Sequence, residues 1–125
     1  MTIYTGIDII EIERIKKISN KFGKKFYNRI FTEKEQLYCN SMPNSILHFA
    51  ARFCAKEAVV KALKTGFTEQ IKWKDIEIIN EPSGAPVVNL TNKALEQYKK
   101  INGISIDISL SHSETIASAI ALIIA

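Results

Sequence analysis

The chain has 125 residues, of which 46% are hydrophobic and 24% are charged, and its formal net charge is +4. A domain typically has roughly 100–200 residues, so we expect a single domain over residues 1–125 with a modest core. The composition is that of an ordinary folded protein, which excludes disordered, collagenous and low-complexity classes.

The sequence predicts neither a membrane-spanning segment nor a secretory signal. The apolar C-terminal stretch, residues 115–125, has no charged residue but is shorter than the roughly 20 apolar residues that span a bilayer. The N-terminus lacks the basic start and apolar block of a signal peptide. Cys39 and Cys54 have no partners at CxxC spacing, which predicts reduced thiols and no zinc site. We therefore expect a cytoplasmic protein without a membrane partner.

The first half of the chain predicts one strand followed by three helices. An isoleucine-rich run predicts the strand, and isoleucines spaced three apart predict the first helix, which stops at Gly23. Thr32 and Glu35 have the spacing of a capping box, which starts the second helix. Asn44 or Ser45 caps the third and longest helix. The predicted strand covers residues 3–10, and the helices cover about 11–22, 32–39 and 45–65.

The second half predicts four strands and one helix. Two strands joined by a turn rich in proline and glycine form a hairpin, a capped helix follows, and two further strands end the chain. The strands cover residues 75–80, 87–90, 104–110 and 115–124, the turn covers 81–86 and the helix covers 92–100. This order of elements predicts an α+β fold with a mostly antiparallel sheet.

The longest helix has two apolar sides, which predicts that it is the central helix of the fold. Glu57 and Lys61 lie on the flank between these sides. A carboxylate in such a place must be paired, hydrogen-bonded or bound to a metal, and a pair of Glu57 with Lys61, one turn apart, is the simplest interpretation. The two sides consist of Phe49, Phe53, Val60 and Leu63, and of Ala51, Ala55, Ala58 and Ala62.

Asp8 is a second acidic residue in an apolar setting. It interrupts the first strand on the same face as Gly6 and Ile10, although aspartate disfavours strands. If this strand packs on the longest helix, Asp8 approaches Glu57, and two carboxylates in one pocket repel each other unless a proton or a cation intervenes. Magnesium suits a site with few carboxylates that water and substrate phosphates complete. The alternative is that Asp8 is a cap or turn residue at the end of the strand.

Two weaker features could contact an anion. In the turn of residues 80–86, Pro82 fixes φ and Gly84 permits a positive φ, so backbone N–H groups can face a ligand; most such turns are plain hairpin loops. His112 follows a strand among serines and is either a phosphate contact or a hydrogen-bonded surface histidine. We interpret His48, on the longest helix, as structural.

The basic residues are concentrated near the N-terminus. Between Arg14 and Thr32 the chain has seven basic residues and no acidic one. Such a segment indicates either an acidic partner or a solvated helix face.

Five of these segments together resemble the holo-acyl-carrier-protein synthases, the small single-domain class of 4′-phosphopantetheinyl transferases. The resemblance covers nearly the whole chain, and its most specific motifs are Gly6-Ile-Asp-Ile-Ile-Glu-Ile-Glu-Arg14 and Arg52-Phe-Cys-Ala-Lys-Glu57. It implies a 4′-phosphopantetheinyl transferase-like fold, with the sheet packed around the long helix, and a role in fatty acid biosynthesis. The segments are residues 6–15, 29–35, 51–63, 83–86 and 109–113.

The resemblance also implies roles for individual residues. Asp8 and Glu57 match the magnesium ligands, and Lys61 matches the lysine that faces the transferring phosphoryl group, so Glu57 and Lys61 are the expected catalytic residues. The expected contacts to coenzyme A are Arg52, His112, Ser83, Gly84 and Pro86. The expected docking surface for an acidic acyl carrier protein includes Arg14, Lys21, Lys24 and Arg29. The family forms trimers with active sites between subunits, which implies a homotrimer.

The implied reaction is a phosphopantetheinyl transfer. A serine hydroxyl of the carrier protein attacks the phosphorus that bears pantetheine, and adenosine 3′,5′-bisphosphate leaves. Magnesium polarises the pyrophosphate of coenzyme A, and either Glu57 or a metal-bound water accepts the serine proton. Lys61 offsets negative charge on the transferring group or helps the leaving group depart.

Two other functions are alternatives at this point. The basic segment could bind nucleic acid without catalysis, or the chain could be a scaffold that holds carrier proteins. The small net charge of +4 and the absence of an aromatic RNA-binding pattern argue against the first, so we expect no nucleic-acid partner. Release of adenosine 3′,5′-bisphosphate from coenzyme A would exclude the second.

Overall fold

The computed structural model describes residues 1–67 and 70–125 and contains a long helix packed against a three-stranded antiparallel sheet. The first half of the chain forms β1 (Ile3–Glu11), α1 (Ile12–Phe22), α2 (Lys24–Ile30), α3 (Glu33–Asn40) and α4 (Ser45–Ala62). The second half forms a short 3₁₀ helix (Trp73–Asp75), β2 (Ile76–Asn80), β3 (Pro86–Leu90), α5 (Asn92–Lys100), β4 (Ser105–His112) and β5 (Ile116–Ile124). The predicted α+β fold is confirmed.

The sheet has the strand order β1-β5-β4, so the C-terminal strand lies in its middle. Asp8 of β1 pairs with Ala119 of β5 in antiparallel register. Because successive side chains of a strand alternate between the two faces, Gly6, Asp8 and Ile10 share the face that packs on α4. β2 and β3 form a separate two-stranded hairpin, so the predicted antiparallel sheet is in two parts.

α4 is the central helix, as its two apolar sides predict. Phe49 and Val60 are buried on one side and Ala58 is buried on the other. Gly6 of β1 lies directly on the helix backbone, where a Cβ atom would overlap the carbonyl oxygen of Ala58. The strand and the helix therefore approach more closely than any side chain at this position would allow, and this contact fixes Asp8 beside α4.

Within residues 1–67 and 70–125, the sequence predicts neither α2 nor the short 3₁₀ helix. α2 follows α1 after Gly23, whose φ of 55° turns the chain. The helix is seven residues long and buries only Phe26 and Ile30, so its apolar repeat is too short to distinguish it from a loop. Of the helices in the described ranges, none is both long and apolar enough to cross a membrane.

Glu35 and Lys56 form an ion pair in the core, and neither side chain has exposed surface. Lys56 Nζ donates to Glu35 Oε1 at 2.7 Å and to the carbonyl oxygen of Ile76 at 2.7 Å. Glu35 also completes the predicted capping box with Thr32, and its Oε2 accepts from the backbone N–H of Ile78 at 2.8 Å. Because both charges are paired and hydrogen-bonded, the pair joins α3, α4 and β2 without leaving an uncompensated buried ion.

Candidate active site

Asp8, Glu57 and Lys61 lie together where β1 packs on α4. Lys61 Nζ donates to Asp8 Oδ1 at 3.1 Å and to the carbonyl oxygen of Ile7 at 2.9 Å. The side chain of Asp8 is 18% exposed and that of Lys61 is 49% exposed, so the group opens to solvent on one side. Glu57, half-buried, lies one turn before Lys61 on the same side of the helix.

Two carboxylates determine the electrostatics of this group. Burial raises the pKa of Glu57, the Asp8 carboxylate raises it further, and Lys61 lowers it. Asp8 and Glu57 are therefore close enough to repel each other. Among the described residues, Lys61 forms its ion pair with Asp8 and not with Glu57. The interpretation of Glu57 and Lys61 as an ion pair is therefore wrong. The tight contact at Gly6 brings the Asp8 carboxylate within reach of Lys61 instead.

The donor set suits a hard divalent cation that takes few protein ligands. Asp8 and Glu57 provide carboxylate oxygens, and the described part of the chain contains no group of three or more His, Cys, Asp or Glu residues that could hold a metal. Magnesium prefers oxygen ligands and keeps several coordination positions for water and substrate phosphates, whereas a structural zinc site takes four protein ligands. These two carboxylates therefore fit magnesium, whose charge would remove their repulsion.

Arg52 and His112, the predicted phosphate contacts, belong to a second cluster. Arg52 is 3% exposed, its Cζ lies 4.3 Å from the centre of the Tyr38 ring, and its Nη2 donates to Asn80 Oδ1. The ring of His112 lies 5.9 Å from that of His48 in an edge-to-face arrangement. Burial lowers the pKa of His48, and the positive charge of Arg52 lowers it further. No carboxylate of the described residues lies within 4.0 Å of the basic nitrogens of this cluster.

The turn between β2 and β3 is joined to this second cluster. Gly84 has a φ of 91°, which is the positive φ that the sequence predicts. Asn80 Nδ2 donates to the carbonyl oxygen of Gly84 at 2.9 Å, while Asn80 Oδ1 accepts from Arg52. Ser83 Oγ accepts a hydrogen bond within the turn at 3.4 Å, and Pro86 begins β3. One asparagine therefore connects the turn to α4.

The two clusters face different sides of α4. Arg52 and Glu57 are five residues apart, and at about 100° per residue their side chains point about 140° away from each other. Lys61 points about 180° away from Arg52 by the same geometry. The structure thus brings Asp8, Glu57 and Lys61 together on one side of the helix, and Arg52, His112 and the turn together on another.

Seven exposed basic side chains cover α1 and α2, directly after the strand that carries Asp8. None of them forms an ion pair with a carboxylate in residues 1–67 or 70–125. Arg14 borders a surface groove with Ile9 and Ile116. The seven are Arg14, Lys16, Lys17, Lys21, Lys24, Lys25 and Arg29.

The cysteines are not nucleophiles. Cys39 and Cys54 are free and buried, and burial raises the pKa of Cys39 to about 11 and that of Cys54 to about 12. Both therefore stay protonated at neutral pH, and the thiol is much less reactive than the thiolate.

Sequence reasoning missed the position of His48, which we interpreted as structural. Its spacing of four from Arg52 places both on one side of α4, and this spacing could have indicated the cluster. The contact with His112 carries no such signal, because the two histidines are far apart in the chain and only the packing of β4 on α4 brings them together.

Residues 4–120 match the 4′-phosphopantetheinyl transferase superfamily, and the chain belongs to this superfamily. Two similar curated proteins are holo-[acyl-carrier-protein] synthases. That of Protochlamydia amoebophila is 45% identical over 98% of both chains. That of Natranaerobius thermophilus is 46% identical over 98% of both chains. The predicted family and enzyme class are confirmed.

A solved structure has the same fold. The holo-[acyl-carrier-protein] synthase of Helicobacter pylori in complex with coenzyme A has a TM-score of 0.85 and 33% sequence identity, and the match covers 95% of this chain and 98% of that chain. The 4′-phosphopantetheinyl transferase-like fold that the resemblance implies is confirmed.

Proposed function

We propose that the chain is a holo-[acyl-carrier-protein] synthase of fatty acid biosynthesis. It transfers 4′-phosphopantetheine from coenzyme A to a serine of an apo acyl carrier protein and releases adenosine 3′,5′-bisphosphate. The observation that carries the proposal is the group of Asp8, Glu57 and Lys61, in which two carboxylates repel each other and a lysine lies beside them. Relatives of that name match nearly the whole chain, and the relative from Helicobacter pylori binds coenzyme A.

In this proposal, Asp8 and Glu57 hold magnesium, which when bound neutralises and polarises the pyrophosphate of coenzyme A. The side chain of Lys61 is 49% exposed, which leaves room for its ammonium group to turn from Asp8 to the oxygens of the transferring group, where it offsets their negative charge. The serine proton goes to Glu57 or to a water beside it.

The second cluster is the proposed site for the nucleotide end of coenzyme A. Arg52 and His112 supply positive charge and N–H donors for its phosphates, and the turn with Ser83, Gly84 and Pro86 borders the bound coenzyme. The lack of a carboxylate partner for Arg52 among the described residues supports this assignment, since a buried charge is costly unless an opposite charge pairs with it.

The basic surface of α1 and α2 is the proposed docking site for the acyl carrier protein. Arg14, Lys21, Lys24 and Arg29 are exposed and have no carboxylate partner within the described ranges. An acidic helix of the partner would complement them. The surface begins where β1 ends, so docking there brings a serine of the partner towards Asp8.

A homotrimer with shared active sites is part of the same proposal. The outer face of the sheet exposes a patch of isoleucines, which on a monomer would contact water. The two clusters of one chain face different sides of α4, so a neighbouring subunit that supplies the second cluster would complete the site. The patch consists of Ile3, Ile7, Ile9, Ile116 and Ile120, which are 41–67% exposed.

The predicted single domain and cytoplasmic location also belong to this proposal. One core cluster, from Ile10 to Ile123, includes residues of both halves of the chain, which supports one domain over residues 1–125. The two free cysteines support a reducing compartment.

The test is intact-mass measurement of an apo acyl carrier protein after incubation with the enzyme, coenzyme A and magnesium. We expect a gain of one phosphopantetheine group, lost in Asp8→Ala and Glu57→Ala proteins and retained in Glu96→Ala, which removes an exposed carboxylate of α5. Carrier protein that binds but gains no mass would indicate the scaffold alternative. Retention of duplex or single-stranded nucleic acid in a filter-binding assay would indicate the alternative of a nucleic-acid-binding protein.

A further inference from the structure

Arg52 is almost completely buried but incompletely hydrogen-bonded. Its Nη2 donates to Asn80 and its guanidinium lies against the Tyr38 ring. Its Nε has no hydrogen-bond partner within the described chain. A buried guanidinium with an unmatched donor and no carboxylate costs stability unless another group pairs with it. The arrangement therefore favours an anion as the missing partner.

His48 and His112 complete a group of three basic side chains around this place. His48 lies one turn before Arg52 on α4, 6.0 Å from the Tyr38 ring and 5.9 Å from the His112 ring. His112 comes from the end of β4 and is exposed. Arg52 and His48 from α4 and His112 from β4 thus lie close together. Basic side chains that serve no common ligand would be expected to lie farther apart, because their positive charges repel one another. Such convergence is typical of a site for a doubly charged anion.

We propose that His48 is a specificity-determining residue that, with Arg52 and His112, binds the 3′-phosphate of coenzyme A together with a proton. The inference rests on the proposed function and adds a third residue to the nucleotide site. It implies that the enzyme distinguishes coenzyme A from 3′-dephospho-coenzyme A more strongly as the pH falls.

The physical reason is the changing charge of the imidazole. The groups that face His48 are Tyr38 from α3, Arg52 on its own helix and His112 from β4, while Asn80 from β2 is uncharged. Burial and the positive charge of Arg52 lower the pKa of His48 in the free protein, so at neutral pH the imidazole is uncharged. A bound phosphate dianion favours the protonated ring, and binding then takes up a proton and strengthens as the pH falls.

The experiment is calorimetry of the full chain with coenzyme A and with 3′-dephospho-coenzyme A. The two ligands differ only at the 3′-phosphate, so contributions of the pyrophosphate and pantetheine cancel in the comparison. Titrations at one pH in buffers of different ionisation enthalpy give the number of protons taken up. We expect about 0.5–1 more proton for coenzyme A over this range, and therefore an affinity ratio that rises about 6–30-fold from pH 8.0 to pH 6.5. Above pH 6.5 the phosphate itself is mostly dianionic, because its second pKa is about 6.

Two variants assign the effect to His48. His48→Phe keeps a ring but neither binds a phosphate nor titrates, so the extra proton uptake and the pH dependence of the ratio fall to what His112 alone provides. His48→Gln keeps an N–H donor without a titrating group, and we expect it to retain more of the preference for coenzyme A than His48→Phe while its pH dependence falls to the same level. Melting curves check that both variants fold. If His48→Phe does not fold, His48→Gln still tests the role of His48.

The outcomes separate this inference from the proposed function. Equal proton uptake for both ligands, or an unchanged pH dependence in a folded His48→Gln protein, overturns the role of His48 while coenzyme A binding itself stands. If neither ligand binds, the proposed function fails and the inference fails with it.

Discussion

Glu57 is the residue whose ionisation most directly links the site to stability. Its pKa in the folded protein is raised by burial and by Asp8, so the folded state holds the Glu57 proton more tightly than the unfolded state does. The stabilisation is present at low pH and is lost as the pH rises through the raised pKa. Above that pH, the repulsion between the two carboxylates weakens the magnesium-free protein.

We therefore expect Glu57→Gln to abolish transfer and yet raise the melting temperature of the magnesium-free protein at neutral pH by roughly 1–4 °C. The gain should shrink as the pH falls, because the wild-type carboxyl then becomes neutral as well. Added magnesium should raise the melting temperature of the wild type only. Thermal melts between acidic and neutral pH, with Glu96→Gln as the matched surface control, measure both effects. A less stable Glu57→Gln protein would contradict the repulsion.

Removing the charge of Lys61 should lower stability, whereas Glu57→Gln should raise it, and both changes should reduce activity. Lys61→Met removes the positive charge beside Asp8, which leaves two carboxylates without a lysine and lowers the melting temperature of the magnesium-free protein. In the reaction, we expect kcat to fall about 100- to 1000-fold, as for the loss of one transition-state donor, with a much smaller change in the KM for coenzyme A. Steady-state kinetics with Lys61→Arg, which keeps the charge, is the control. Unchanged kcat in Lys61→Met would remove Lys61 from the chemistry.

At the scale of elements, the contact between β1 and α4 positions the site. Gly6→Ala places a Cβ against the backbone of Ala58 and forces the strand away from the helix. We expect a loss of about 1–3 kcal/mol in the free energy of unfolding and weaker magnesium binding, because Asp8 moves with the strand. Thr5→Ala, on the exposed face of the same strand, is the matched control. Urea unfolding gives the stability, and the shift of melting temperature with magnesium gives the metal affinity.

Most elements were predictable because their signals are local. The capping box of Thr32 and the repeat of α4 predict helices from a few neighbouring residues, whereas α2 is too short to show a repeat. Asp8 and Glu57 were predictable as a pair because each is an acidic residue in an apolar pattern. The buried ion pair of Glu35 and Lys56 was not predictable. These residues are 21 positions apart, and in the sequence each resembles an ordinary surface charge.

At the scale of the whole molecule, the basic surface of α1 and α2 predicts salt-sensitive recognition of the carrier protein. Arg14→Glu reverses one of its charges, and we expect the KM for the carrier to rise about tenfold or more while the KM for coenzyme A changes little, because rim charges act mainly on association. Added salt should raise the KM for the carrier protein more in the wild type than in the variant. Lys99→Glu, on α5, is the matched control. Equal changes in both KM values would argue against this docking surface.

The shared active site of the proposed trimer can be tested by mixing two inactive proteins. Asp8→Ala destroys the magnesium group, and His112→Glu places a negative charge in the nucleotide cluster. Because these clusters face different sides of α4, a site between subunits takes one cluster from each neighbour, and a mixed trimer then contains some sites with both halves intact. In a randomly assembled cyclic trimer from equal amounts of the two variants, about a quarter of the sites are intact. Co-expression with two different tags, followed by sedimentation and activity measurement, should show a trimer with about that fraction of wild-type activity. A site built within one chain recovers no activity in the mixture, because every subunit then has one defective half.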